Sequence, residues 1–134
     1  HWPPRGPISR PEAPLQETLA AAILKYAGYT SKDILCDPYC GSGTILWEAA
    51  MMSTHTPAGF YRNSWGFFKH PDFSETEFNT YLHAVQGERS LIRPYTVFGG
   101  DRDLHAIEAC RATSNSTGLP VHVQHSDIRL FRLP

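Results

Sequence analysis

Two spacings of hydrophobic residues alternate along this chain. Leu15, Leu19, Ala22, Ile23 and Tyr26 recur at helical intervals, with Pro14 suited to a first turn and Gly28 to a C-terminal cap. The spacing predicts a helix that packs its apolar stripe on a sheet. The short run Ile34-Leu35-Cys36 reads as a strand, and 44–52 as a helix apolar on almost every side, to be buried between that sheet and an insertion. Further on, Ser74-Glu75-Thr76-Glu77 has the spacing of a capping box, and Phe78, Tyr81, Leu82 and Val85 form the stripe of the helix it opens. A second strand is predicted over 95–99. A helix over 104–116 follows, with Leu104, Ile107, Cys110 and Ser114 inward and Gly118 at its end, and then a third strand at Val121-His122-Val123. Helices and strands that alternate in this way predict an α/β fold, with a parallel sheet, flanking helices and right-handed crossovers.

The segment 53–94 is longer than a crossover needs and reads as an insertion. Its aromatic residues Phe60, Tyr61, Trp65, Phe67 and Phe68 are expected to bury it against the domain. Stacking on RNA bases, helped by Arg62 and Lys69, is the alternative.

The candidate chemistry lies between the first strand and the second helix, in Asp37-Pro38-Tyr39-Cys40-Gly41-Ser42-Gly43-Thr44. A dinucleotide fingerprint needs a third glycine, but Trp47 and Glu48 follow instead. A phosphate-binding Walker loop needs a lysine where Thr44 stands. What remains is an acid at a strand end, followed by a Gly-x-Gly that lets backbone amides approach a ligand. Such a site suits a ligand with both an ammonium, for Asp37, and a carboxylate, for the positive end of the next helix. S-adenosylmethionine has such an amino-acid end. Two more acids stand just after strand-like runs. Asp101, in Gly100-Asp101-Arg102-Asp103, can accept ribose hydroxyls, while Asp103 is expected to cap the following helix. Asp127 can accept the adenine amine, with Ile128 over a ring face. In an open α/β sheet, acids at the carboxyl ends of strands converge on one crevice.

With these motifs the chain resembles the class I S-adenosylmethionine-dependent RNA methyltransferases whose catalytic domain follows an RNA-binding THUMP domain. It is most similar to the bacterial enzymes that methylate guanine N2 in large-subunit ribosomal RNA. The likeness rests on Ala13-Pro14-Leu15-Gln16-Glu17-Thr18-Leu19-Ala20-Ala21-Ala22, on the glycine loop with Glu48-Ala49-Ala50, on Pro57-Ala58-Gly59 through Arg62 to Trp65-Gly66-Phe67, and on Gly99-Gly100-Asp101-Arg102-Asp103. It implies a Rossmann-like fold and a cofactor site made of Leu15, Glu17, Thr18, Asp37, Pro38, Cys40, Gly41, Ser42, Gly43, Thr44, Asp101, Arg102, Asp127 and Ile128. Within that set, Asp37, Gly41 and Gly43 would hold the methionine end, Asp101 the ribose and Asp127 the adenine. The segment from Leu15 to Thr18 would close over the cofactor from the other side.

The family's amine methyltransferases also carry an Asn/Asp-Pro-Pro-Tyr motif after the fourth strand, and no such string occurs in these 134 residues. The chain is therefore expected to be the cofactor-binding first half of a methyltransferase domain over 13–134, inactive alone, with 1–12 a proline-rich linker from a missing N-terminal module. The alternatives are a DNA or protein amine methyltransferase, or a non-catalytic module that binds an adenosine-containing ligand or a partner chain.

Composition changes this picture little. Twelve Lys and Arg against thirteen Asp and Glu give a net charge of −1, so strong RNA affinity would have to come from missing domains. The three cysteines, Cys36, Cys40 and Cys110, lack paired spacings and read as buried thiols, and the scattered histidines offer no metal site. No apolar run is long enough to span a membrane, and a cytoplasmic location is expected.

Overall fold

A computed structural model of the protein describes residues 15–62, 64–87 and 96–133. The expected linker over 1–12, Pro14, Pro94, Tyr95 and Pro134 lie outside these residues. The order is α1 (Glu17–Tyr26), β1 (Leu35–Asp37), α2 (Thr44–Ser53), a 3-10 turn (Gly66–Lys69), α3 (Glu75–Gln86), β2 (Val97–Asp101), α4 (Leu104–Thr117) and β3 (Val121–His125). The strands form a parallel sheet in the order β1-β2-β3, with Asp37 opposite Gly99 and Asp101 opposite His125. All three carboxyl ends therefore lie along one edge. Pairing continues past the strands, where the Cys40 amide donates to Gly100 O at 2.9 Å and the Ser126 amide to Asp101 O at 3.0 Å.

The core lies around α2 and the sheet. Leu46, Trp47, Ala49 and Ala50 of α2 are buried together with Val97, Ile107, Cys110, Leu119 and Val121. Burial on nearly every face matches the apolar composition of α2. Gly99 is needed at its place in β2 because a Cβ there would run into Leu46 and Cys40. On the other face, a Cβ on Gly100 would meet the Phe131 ring at 2.5 Å, so the chain after β3 lies directly on the sheet.

α1 corrects its predicted face. Ala20 and Leu24 are buried, while Leu19, Ile23 and Tyr26 are exposed, Tyr26 at 97%. The helix packs on α2, not on the sheet, so a small residue and a leucine one turn apart suffice. Gly28 follows the helix in the left-handed conformation, as its capping role requires.

Elsewhere the local signals hold. Ser74 caps α3 by accepting from the Glu77 amide at 3.3 Å, and Gly118 ends α4 at φ 68°. Leu104 is exposed, because only Ile107, Cys110 and Thr117 of α4 are buried. Described from Val97, β2 runs on through Asp101, two residues beyond the predicted end. Cys36 is exposed, unlike the buried Cys40 and Cys110.

The insertion divides into two parts. Tyr61 reaches the domain, donating its hydroxyl to Thr117 O at 3.0 Å. Phe67, Phe68, Phe73 and Phe78 pack on one another, with neighbouring ring centroids 4.9 to 5.9 Å apart. This second cluster joins the 3-10 turn to α3 while Phe67, Phe68 and Tyr81 stay exposed, so these rings do not bury the insertion against the sheet.

Candidate functional site

The glycine loop follows β1 and is held from several sides. The Gly43 amide donates to Cys40 O at 2.8 Å to close the turn, and the Trp47 indole donates to Ser42 O at 3.0 Å. Gly43 stands at φ 80°, and a Cβ there would meet Cys110 Sγ and Trp47 Nε1, each at 2.9 Å. The loop thus rests on α2 and α4 with no room for a side chain at Gly43. Gly41 differs: it is left-handed at φ 52°, yet a Cβ there would meet nothing within 4 Å. Its outer side is open, and a ligand can approach the backbone there.

Both polar groups of Gly41 are fixed by residues distant in sequence. Its amide donates to Asp101 Oδ2 at 2.8 Å, and its carbonyl accepts from Cys110 Sγ at 3.4 Å. Cys40 Sγ also donates to that carbonyl at 3.7 Å. The hydrogen bond with Cys110, then burial, holds the Cys40 thiol far above its ordinary range, so it serves as packing and not as a nucleophile. Asp101 Oδ1 accepts from the Asp103 amide at 2.9 Å, and Asp103 caps α4 through the His105 amide at 2.9 Å. Asp103 is thus the helix cap, as expected.

Asp37 ends β1 and accepts from the Tyr39 amide at 3.0 Å, with Pro38 between them. Thr44, buried, opens α2, whose N-cap is Gly43 and so offers the first turn no side-chain cap. Asp127, two residues past β3, is clasped by Arg129 through contacts of 2.9 and 3.0 Å, which hold its carboxyl below the ordinary carboxylate range. Ile128 beside it is exposed, and Arg102 O lies 2.9 Å from the His125 ring. The sheet therefore brings Asp37, the loop, Asp101, Arg102, Asp127 and Ile128 to one edge.

Leu15, Glu17 and Thr18 lie at the start of α1. Leu15 is half-buried just before α1. Glu17 and Thr18 line a cavity of about 330 Å³ with Glu48, Tyr61, Arg62 and Trp65, and its walls include no residue of the glycine loop. Burial, with the Glu17 carboxylate adding to it, pushes Glu48 up to about 7.

Sequence reasoning missed several residues near the strand ends. In the sequence Cys110 reads only as a core residue. Ser126 Oγ is buried and, among the described residues, has no hydrogen-bond partner, a fact only the fold reveals. Phe131 lies over Gly100 beside it. Among the described residues no group of His, Cys, Asp or Glu is placed to hold a metal ion, and no helix is long and apolar enough to cross a membrane.

Comparison with known proteins places the family and the fold. Residues 8–134 match the family described as RMKL-like, methyltransferase domain. The chain is 38% identical over 111 residues to the ribosomal RNA large subunit methyltransferase K/L of two Vibrio cholerae strains, which covers 81% of the chain and 16% of those proteins. Its fold matches the structure of SMU.472 complexed with SAH, with a TM-score of 0.83 and 26% identity over 97% of the chain and 34% of that protein. It matches equally a predicted N6-adenine-specific DNA methylase from Listeria monocytogenes, with a TM-score of 0.83 and 25% identity over 97% of the chain and 35% of the other. The chain thus spans about a sixth of the curated relatives and a third of the solved ones.

Proposed function

The chain belongs to the RMKL-like methyltransferase domain family, and from that premise we propose that it binds S-adenosylmethionine at the glycine loop for methylation of guanine N2 in large-subunit ribosomal RNA. The single observation that carries the cofactor reading is Gly41, left-handed, open on its outer side, and tied through its amide to the acid at the end of β2. A bound cofactor would find at this edge an acid, a bare backbone, the start of a helix without a side-chain cap, and the buried Ser126 hydroxyl, which has no hydrogen-bond partner among the described residues. These donors and acceptors fit an adenosine carrying an amino-acid tail.

When bound, S-adenosylmethionine supplies a methyl group on a sulfonium, ready for transfer to a nucleophile. The contribution of this chain is to hold and orient. Asp37 would pair with the ammonium, the first-turn amides of α2 with the carboxylate, Asp101 with the ribose hydroxyls and Asp127 with the adenine amine. Gly43, wedged against Cys110 and Trp47, keeps the loop from shifting. Positioning of this kind supplies much of the rate in transfers between two bound reactants. The RNA substrate, its contact through other domains and a cytoplasmic location belong to the same proposal, supported by the 38% identity with the ribosomal RNA enzymes.

Calorimetric titration with S-adenosylhomocysteine tests the reading, with NADH as control. Saturable binding of the first alone is expected. A folded chain that binds neither, or binds NADH, would exclude the cofactor assignment.

A further inference from the structure

The turn that leaves β3 is closely tied. The Leu130 amide donates to Asp127 O at 2.8 Å, the Phe131 amide to Ile128 O at 3.3 Å, and a Cβ on Gly100 would meet the Phe131 ring. Gln124 of β3 donates its Nε2 to Arg132 O at 2.8 Å, which holds the far end of the turn to the strand. Within this turn Arg129 gives the Asp127 carboxylate three donors. Its amide and its Nε reach Oδ1 at 3.0 and 2.9 Å, and its Nη2 reaches Oδ2 at 3.0 Å. An ionised carboxylate accepts about four hydrogen bonds, two on each oxygen. Oδ1 is therefore filled, while Oδ2 keeps one position that no other donor takes among the described residues. The Asp127 side chain is 37% exposed, so a ligand can reach that position. An exposed ion pair contributes little to stability, and Arg129 is 85% exposed. What the fork does supply is orientation, because two parallel contacts keep a carboxylate from turning where one would not.

We propose that Arg129 is a positioning residue for the cofactor's purine: its clasp fixes Asp127 so that a single acceptor, on Oδ2, meets the purine 6-position and selects a 6-amino over a 6-oxo group. The proposal rests on the cofactor reading above and adds the residue that makes its adenine ligand selective. Adenine brings an N–H to the one position left, whereas a 6-oxo purine sets a carbonyl oxygen against the carboxylate and is repelled. The Arg129 hydrogen bonds also hold the Asp127 carboxyl below its ordinary range, which keeps it an acceptor only. Without the clasp the carboxylate can rotate to meet the N1–H that a 6-oxo purine carries, and the preference falls.

The test is calorimetric titration of the chain with S-adenosylhomocysteine and with S-inosylhomocysteine, in which a 6-oxo group replaces the amine. Wild type should prefer the adenine compound by about tenfold or more, as one hydrogen bond to a charged group allows. Arg129→Ala should lower that preference by about threefold or more, and Arg129→Lys, which keeps the charge without the fork, should fall between the two. Asp127→Ala should abolish the preference, and adding Arg129→Ala to it should change nothing further. Neither a direct contact of Arg129 with the ligand nor a role in folding alone would give that result. Equal binding of the two compounds by wild type, an undiminished preference in Arg129→Ala, or a further loss when the two substitutions are combined would each overturn the inference. Where Asp127→Ala loses the preference and Arg129→Ala keeps it, the cofactor reading stands and this inference alone fails. A folded chain that binds neither compound would refute both.

Discussion

The Gly41 amide donates to the Asp101 carboxylate at 2.8 Å, joining residues 60 apart in sequence. One carboxylate thereby serves as the end of β2, the anchor of the glycine loop and the partner of the Asp103 amide that leads into α4. Proposed ribose ligand and proposed methionine loop are one hydrogen-bonded unit, so a change at either is felt at both.

Asp101→Ala should weaken S-adenosylhomocysteine binding by about 1.5–3 kcal/mol, the range for hydrogen bonds to a charged group. Asp101→Asn, which keeps one acceptor, should fall between that variant and wild type. Calorimetry measures both, and affinities equal to wild type would remove Asp101 from the site.

The two loop glycines should separate stability from binding. Gly43→Ala places a Cβ 2.9 Å from Cys110 Sγ and Trp47 Nε1 at a left-handed φ, and should cost about 2–4 kcal/mol of stability. Gly41→Ala enters open space, so only its φ of 52° is penalised, by about 1–2 kcal/mol. It should nonetheless lose cofactor affinity, because the methyl group stands where the ligand approaches. Denaturant melts with parallel titrations decide the matter, and a Gly41→Ala chain that binds like wild type would contradict the loop assignment.

Glu48 makes stability depend on pH. Its carboxyl is raised from an ordinary 4.5 to about 7, first by burial and then by Glu17. The folded state holds the proton more tightly than the unfolded chain, so stability is greatest below about pH 4.5 as far as this group is concerned. It falls as pH rises towards about 7 and levels off above. With allowance for solvent screening of a half-exposed group, the loss is about 1–2 kcal/mol. Glu48→Gln should flatten that slope in chemical denaturation at pH 5 and pH 8. An unchanged slope would show that another group causes it.

Gly99 and Leu46 should be coupled. Gly99→Ala pushes a methyl into Leu46 and should cost about 1–3 kcal/mol, while Leu46→Ala, at a fully buried site, should cost about 2–5 kcal/mol. The double variant should be more stable than the sum of the two predicts, because the smaller side chain leaves room for the methyl. Strict additivity would mean that the helix moves away as a body.

Features set within a few residues were legible in the sequence. Ser74 and Asp103 cap α3 and α4, and Gly28 and Gly118 follow the helices they end, since each depends on its own turn. The alternation of elements and the acids at strand ends were legible for the same reason. The inward face of α1 was not, because α2 selects Ala20 and Leu24 over the more apolar Leu19, Ile23 and Tyr26. Cys110 reads as an ordinary core residue until α4 brings its sulfur to the Gly41 carbonyl. The cavity was hidden because Glu17, Glu48 and Trp65 come from three separate segments that meet only in the fold.

The most direct test of the central claim is residue-by-residue mapping of backbone amide shifts as S-adenosylhomocysteine is added. The changes should concentrate in 37–44, with Gly41 among the largest, and extend to Asp101, Arg102, Ser126 and Asp127. Saturating changes confined to Glu17, Glu48 and Trp65, or none at all in a folded chain, would contradict a cofactor site at the glycine loop.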